Sequence, residues 1–290
     1  MSSELDLLKW IRTRNGRRGG PILVDSGDDA AVLRIGRERI LFKTDSVVEG
    51  VHFTSGTPPE RIGYKARARP LSDIAAMGGV PTAAVAAAIV PSTWTVERAK
   101  RLHLGMEKLR VPIVGGDFCT HRGPLSLSVS VLGDMIGTEP VLRKGARPGD
   151  LILVTGALGG SIKGKHLTFK PRLAEGRLFA SRKSRVHAMI DISDGLARDL
   201  GHLCEASGVG AELQAARIPV TPGSSLDDAL HDGEDYELLA AADAKIAWSL
   251  ERKGKGVIIG RIIPGRQMWI VMGDGIRQIL EPKGFEHALK

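Results

Sequence analysis

The chain reads as an α+β protein of mixed α/β character, built from two domains. Helical and strand-like segments mix in both halves of its 290 residues. One run, Leu125 to Val131, alternates apolar and hydroxyl side chains strictly, as a half-buried antiparallel strand does. Between the halves lies a turn-rich bridge, Gly137 to Asp150, which contains Arg143-Lys-Gly-Ala-Arg-Pro-Gly-Asp150. These features favour α+β over a doubly wound parallel sheet, with domains at 1–138 and 139–290.

The elements follow from local patterns. Ser3 to Arg14 is a short amphipathic helix with Leu5, Leu8 and Ile11 on one face. Ile40 to Thr44 is a strand that delivers Asp45 at its end. Pro59 to Met77 is a helix with proline near its start, where the missing N–H costs nothing. Ala83 to Val90 is a buried run of small residues whose periodicity suits strand and helix equally. Thr95 to Leu109 is a helix, and Val111 to Val114 a short strand leading into Gly115-Gly116-Asp117. Leu151 to Thr155 is an apolar strand opening the second half. Gly195 to Ala206 is a helix with Leu196, Leu200 and Leu203 in line, closed by Gly208. Tyr236 to Ala242 and Gly256 to Ile262 complete the strands.

Composition narrows the function classes. Aromatics are scarce, and Lys plus Arg exceeds Asp plus Glu by 41 − 33 = 8. A basic balance attracts phosphate-bearing partners. Cys119 and Cys204 form no CxxC and are far apart in sequence, so no disulfide framework is expected and a reducing cytosol is the default. The N-terminus lacks a basic and apolar leader. The most apolar stretch, Ala83 to Val90, is far short of the ~20 residues that span a bilayer. The expectation is a soluble cytoplasmic protein with no membrane partner.

Against this basic background, acids recur in glycine or small-residue turns. They stand at Gly27-Asp28-Asp29-Ala30, Thr44-Asp45, Ser72-Asp73, Gly115-Gly116-Asp117, Asp191-Ile192-Ser193-Asp194-Gly195 and Gly233-Glu234-Asp235-Tyr236. Glycine permits close backbone approach to a ligand. Hard oxygen donors in such number suit magnesium, which in proteins usually accompanies phosphate. Each acid also has a plain structural use, as a turn former or a cap. Ser193 or Asp194 would cap the helix that follows, and its free N–H groups would also suit a phosphate. Asp73 lies among small apolar residues, where a carboxylate is costly unless paired or metal-bound. Gly159-Gly-Ser-Ile-Lys-Gly164-Lys165-His166 nearly matches a P-loop. His166 stands where a hydroxyl must bind magnesium, so a glycine-rich turn is the better reading.

In sequence order these residues resemble the thiamine-monophosphate kinase family of the aminoimidazole-ribonucleotide-synthetase-like superfamily. The matching stretches are GDDAAVL (27–33), TDSVVEGVHF (44–53), IGYKARARPLSDIAAMGGVP (62–81), GGD (115–117), RGPLSLSVSVLG (122–133), RKGARPGD (143–150), DISDGLARDLGHL (191–203) and GEDYEL (233–238). The resemblance implies ATP-dependent phosphorylation of thiamine monophosphate to thiamine diphosphate. It implies a homodimer formed through a barrel-like sheet of the first domains. Carried over by position, Asp29, Thr44, Asp45, Asp73, Asp117, Asp191 and Asp194 would hold magnesium ions. Gly116, Asp117, Arg143 and Ser193 would contact ATP, and His52, Glu234 and Phe285 the thiamine phosphate. Asp191, Asp194 and Arg143 would form the catalytic set. The acceptor phosphate is already an anion near neutral pH, so no general base is required.

The chain departs from the family pattern in places. Pro70 replaces an Asn three residues before Asp73; proline inside a helix costs ~3 kcal/mol or forces a kink, which bears on how Asp73 is oriented. Lys43 replaces a small hydroxyl residue and brings a cation beside the metal positions. Phe118-Cys-Thr-His121 inserts residues before Arg122, and Gly160 to His166 is shorter than the family's segment. Two other classes compete with the kinase reading. One is a related ATP-using enzyme with another acceptor, which would release ADP only with that acceptor. The other is a non-catalytic nucleotide- or nucleic-acid-binding paralogue. Nucleic-acid binding would be steeply salt-dependent, and the sparse aromatics argue against it.

Overall fold

The computed structural model describes residues 4–15, 20–182 and 184–287. Its first half opens on helix α1 (Glu4–Asn15). Strands β1 (Ile22–Val24), β2 (Ala31–Ile35) and β3 (Glu38–Val48) follow, and then helix α2 (Pro59–Ala76). Strand β4 (Val80–Pro91), helix α3 (Val96–Glu107) and strands β5 (Ile113–His121) and β6 (Ser126–Asp134) complete it. The strands form a six-stranded sheet in the order β1-β2-β3-β6-β4-β5. All its pairings are antiparallel except β4 with β5.

The second half runs β7 (Leu151–Val154), α4 (Leu173–Ala180), β8 (Val186–Asp191), α5 (Leu196–Ser207) and β9 (Gly210–Gln214). It ends with α6 (Leu226–His231), β10 (Leu238–Ala242), α7 (Ala244–Arg252), β11 (Val257–Ile263), β12 (Met268–Val271) and β13 (Arg277–Ile279). A seven-stranded sheet has the order β13-β12-β9-β11-β7-β10-β8. Only β12 with β9 is parallel. The mixed, mainly antiparallel α+β architecture is the one expected. Among the described residues, no helix is long and apolar enough to cross a membrane.

The ambiguous run at 83–90 is strand β4, buried on one face only. Several expected strands run longer than their apolar cores. Asp45 therefore sits within β3 rather than at its end. Gly115-Gly116-Asp117 likewise lies inside β5, and the inserted Phe118 to His121 extends that edge strand. Gly116 has a packing reason to be glycine, since a Cβ there would meet the Ala86 carbonyl oxygen at 1.9 Å. On α1, Leu8 is exposed, and the side chain of Leu5 lies outside the described residues.

Helix α2 carries Pro70 without ending, and the turn after it stays helical to Ala76. The helix packs on β3 and β6 of the first sheet and on α4 and β8 of the second half. It is thus the spine shared by both halves. That position makes its polar face the natural wall of a cleft.

Candidate active site

Lys65, Arg69 and Asp73 are spaced four apart on α2 and share one helix face. Beside them, Ser72 Oγ donates to Asp191 Oδ2 at 2.6 Å. Period-two alternation puts Lys43 and Asp45 on the inner face of β3, between buried Leu41 and Val47. Lys43 Nζ lies 2.8 Å from Asp73 Oδ1 and 3.8 Å from Asp45 Oδ1. The turn before β2 adds Asp29, which is buried and gripped by the Arg143 guanidinium. Arg143 Nη2 and Nε donate to Asp29 Oδ1 at 2.6 and 3.2 Å. The Arg143 backbone N–H donates to Asp28 Oδ1 at 2.7 Å, which fixes the bridge against the first sheet.

Asp29, Asp73 and Asp191 converge from segments far apart in sequence. All three are buried, and each offers a carboxylate oxygen within 4.8 Å of the others. Asp29 Oδ2 is buried with no hydrogen-bond partner. Crowding shows in the acidities. Burial, and then the charge of Asp29, push Asp191 up to about 7. Burial drives Asp73 well up; Lys43 opposes the rise, and Asp45, Asp191 and Asp29 add to it. Ionised carboxylates so placed are held together only against their mutual repulsion. This donor set fits a hard divalent cation.

Asp194, Asp199 and His202 form a second group within the same distance. Here Asp199 already accepts the N–H groups of Ser193 and Asp194, each at 3.0 Å. Neither Ser193 nor Asp194 caps α5, contrary to expectation. The N-cap is Gly195 at φ 111°, and the preceding amides are tied down by a carboxylate rather than left free. The P-loop-like turn is closed in the same manner. Gly159 and Gly160 donate their N–H groups to Asp235 and Asp232 at 2.8 and 2.9 Å. His166 bonds back to the Ser161 carbonyl, so the glycine-rich-turn reading holds.

A side pocket of about 280 Å³ is lined by His52, Arg69, Glu234, Tyr236 and Phe285. It adjoins a cleft of about 760 Å³ walled by Lys43, Asp45, Asp73, Arg143, Ser193 and Asp194. Lys65 is fully buried below them. Its ammonium reaches Glu234 Oε1 at 2.6 Å and donates to the His52 carbonyl at 2.5 Å. Burial pulls Lys65 down to about 8, with Glu234 restoring part of the loss. Burial, with Arg69 and Lys65 near, holds His52 down at about 3. The ring is therefore neutral, and its Nδ1 accepts the Val48 N–H at 3.1 Å. Phe285 hangs over the opening, with its N–H bonded to the Asp194 carbonyl at 3.0 Å.

Two expected ligands do not join this centre within one chain. Thr44 faces the other side of β3, where its hydroxyl accepts from Ser130 Oγ at 3.0 Å. Asp117 lies on the exposed edge strand, separated from β3 by β4 and β6. Gly116 is beside it and equally distant.

Residues 27–135 match the AIR synthase related protein, N-terminal domain, and residues 147–270 match the corresponding C-terminal domain. The chain is 35% identical to the thiamine-monophosphate kinase of Rhodopirellula baltica, over 98% of this chain and 97% of that protein. It is 31% identical to the Bacillus subtilis thiamine-monophosphate kinase, over 98% and 99%. The chain belongs to the thiamine-monophosphate kinase family. The structure of AaThiL complexed with AMPPCP and TMP superimposes with a TM-score of 0.84 at 28% identity, covering 98% of this chain and 97% of that one.

Within this kinase family's pattern, Asp29, Asp45, Asp73, Asp191, Asp194, Arg143 and Ser193 surround one cleft, and His52, Glu234 and Phe285 border its side pocket. The sequence reading passed over Lys65, Arg69, Ser72 and Asp199. The four-residue spacing of Lys65, Arg69 and Asp73 on one helix was the available signal. Asp199 offered none, because it acts through backbone N–H groups.

Proposed function

We propose that the chain transfers the terminal phosphoryl group of ATP to thiamine monophosphate, forming thiamine diphosphate. The observation that supports this best is the buried meeting of Asp29, Asp73 and Asp191, with Asp29 Oδ2 unpartnered. Asp29, Asp73 and Asp191 would hold magnesium, with Asp45 and Asp194 at the edges of the same cleft. Magnesium there would neutralise phosphate oxygens and let two anionic substrates approach.

The protein's own cations act beside it. Arg143, Arg69 and Lys43 line the cleft and offset the charge of the phosphates. Arg143 keeps its guanidinium oriented through Asp29, so its remaining donors are preset for ATP. Ser193 and Asp194 sit on a loop braced by Asp199, which gives the phosphate side a rigid floor. Glu234, braced by Lys65, faces the side pocket with Phe285 and neutral His52. An acid beside aromatic rings suits the cationic thiazolium and flat pyrimidine of thiamine. The acceptor phosphate attacks as an anion, so these residues orient and need not remove a proton.

The reading includes a cytoplasmic homodimer. The outer face of the first sheet leaves Phe42, Val85, Ile89 and Leu132 exposed around Thr44 and Ala87. An apolar sheet face of this kind suits burial against a second copy. Only a second copy would bring an edge strand bearing Gly116 and Asp117 towards another chain's cleft.

Purified chain given ATP, magnesium and thiamine monophosphate should form thiamine diphosphate, read by chromatography. Folded protein that yields none would overturn the assignment. Sedimentation at micromolar concentration should give twice the chain mass.

A further inference from the structure

One cation already stands inside the acidic centre. Lys43 Nζ lies between Asp73 Oδ1, at 2.8 Å, and Asp45 Oδ1, at 3.8 Å. Its backbone is fixed in the middle of β3, paired to Val131 of β6. The ammonium is therefore delivered from a rigid strand. A divalent ion bridging Asp45 and Asp73 would need their oxygens at roughly 2.0–2.1 Å for magnesium. That gap is filled by the ammonium, which would also repel the ion.

The opposite end of the centre is different. Arg143 engages only one oxygen of Asp29, and Asp29 Oδ2 is buried without a partner. Asp29, Asp73 and Asp191 keep their mutually close oxygens there. So one end of the centre is occupied by the Lys43 ammonium, and the other keeps a buried carboxylate oxygen that Arg143 does not engage.

We propose that Lys43 is a built-in substitute for a divalent ion at the Asp45–Asp73 end. The chain then takes divalent metal at the Asp29–Asp73–Asp191 end, and one ion fewer than it would take without this lysine. The inference rests on the kinase reading for the metal itself and adds how many ions the centre accepts. It also makes Lys43 a positioning residue that holds Asp73 at a set orientation.

The test counts ions without turnover. Full-length chain saturated with AMPPCP is titrated with Mn²⁺, and bound ion is read by electron paramagnetic resonance. Lys43→Ser should bind one more Mn²⁺ per chain than wild type, and Lys43→Arg the same number as wild type. Equal or lower counts in Lys43→Ser would overturn the proposal. Should Lys43→Ser fail to fold, wild-type crystals soaked in Mn²⁺ decide. Anomalous density confined to the Asp29–Asp73–Asp191 end supports it. Density between Asp45 and Asp73, with Lys43 swung out, refutes it. Failure of the wild type to make thiamine diphosphate would sink the kinase reading and leave this count standing.

Discussion

Ser72 Oγ donates to Asp191 Oδ2 at 2.6 Å across 119 residues of sequence. The bond joins the spine helix of the first half to the end of an edge strand in the second. A hydrogen bond to a buried carboxylate contributes about 1.5–3 kcal/mol. Ser72→Ala should lose that much stability, seen as a lower urea midpoint with an unchanged slope. A change under about 0.5 kcal/mol would mean that water replaces the hydroxyl.

Asp191 is held in a setting that resists its charge, raised to about 7 by burial and by Asp29. Asp191→Asn keeps an oxygen to accept from Ser72 and removes the repulsion. At pH 8 and without metal, this variant should melt higher than wild type. It should also form no measurable thiamine diphosphate. Stability given up for a functional group is a common trade. A variant that melts lower would show that the ionised carboxylate is well accommodated.

Arg143 grips Asp29 with a fork that lysine cannot reproduce. Arg143→Lys should lower kcat/KM for ATP by about tenfold or more, equivalent to ~1.4 kcal/mol of transition-state stabilisation. Steady-state kinetics at fixed thiamine monophosphate will read this. Unchanged kinetics would reduce Arg143 to a staple between the bridge and Asp28–Asp29.

Lys65 and Glu234 form a pair whose lysine is fully buried. Breaking such a pair from one side costs about 3–5 kcal/mol, because the partner's charge is left stranded. Lys65→Met should therefore destabilise strongly. The double variant with Glu234→Gln should recover part of the loss in denaturant melts. Additive losses would mean that the two side chains do not interact.

His52 supplies a pH test. Its folded-state value is near 3, below the ordinary 6.5, because burial and neighbouring cations disfavour the charged ring. Between these values the unfolded chain binds the extra proton and the folded chain does not. His52's contribution to stability is thus intact above about pH 6.5 and is lost as pH falls towards 3. His52→Gln should flatten this acid limb in melts from pH 7 to 4. The wild-type ring should also show no titration by NMR above pH 5. A ring that titrates near 6.5 would contradict the buried, neutral assignment.

The acids of the centre were legible in the sequence because glycine-flanked carboxylates in a basic chain are unusual. Their order along the chain carried the family. Thr44 faces away from the cleft for a physical reason: adjacent residues on a strand point to opposite faces, so the side chain of Asp45 enters the cleft and that of Thr44 leaves it. Asp117 lies on an edge strand rather than in a turn, because a glycine-rich acid looks the same in both settings. Asp199 escaped notice, since a side chain that binds backbone N–H groups leaves no motif of its own. Pro70 removes one helical bond, yet α2 runs on to Ala76, its packing on both halves outweighing that loss.

The helix α2 contacts β3 on one side and β8 on the other, and the carboxylates it gathers come from both halves of the polypeptide. During synthesis, the ribosome releases the first sheet and its acids long before Asp191 emerges. A half-made chain thus carries an incomplete set of donors. Affinity for a ligand held by all three carboxylates would arise only once synthesis has passed Asp191 and β8 has docked on the spine helix, so binding itself would report that the two halves have met.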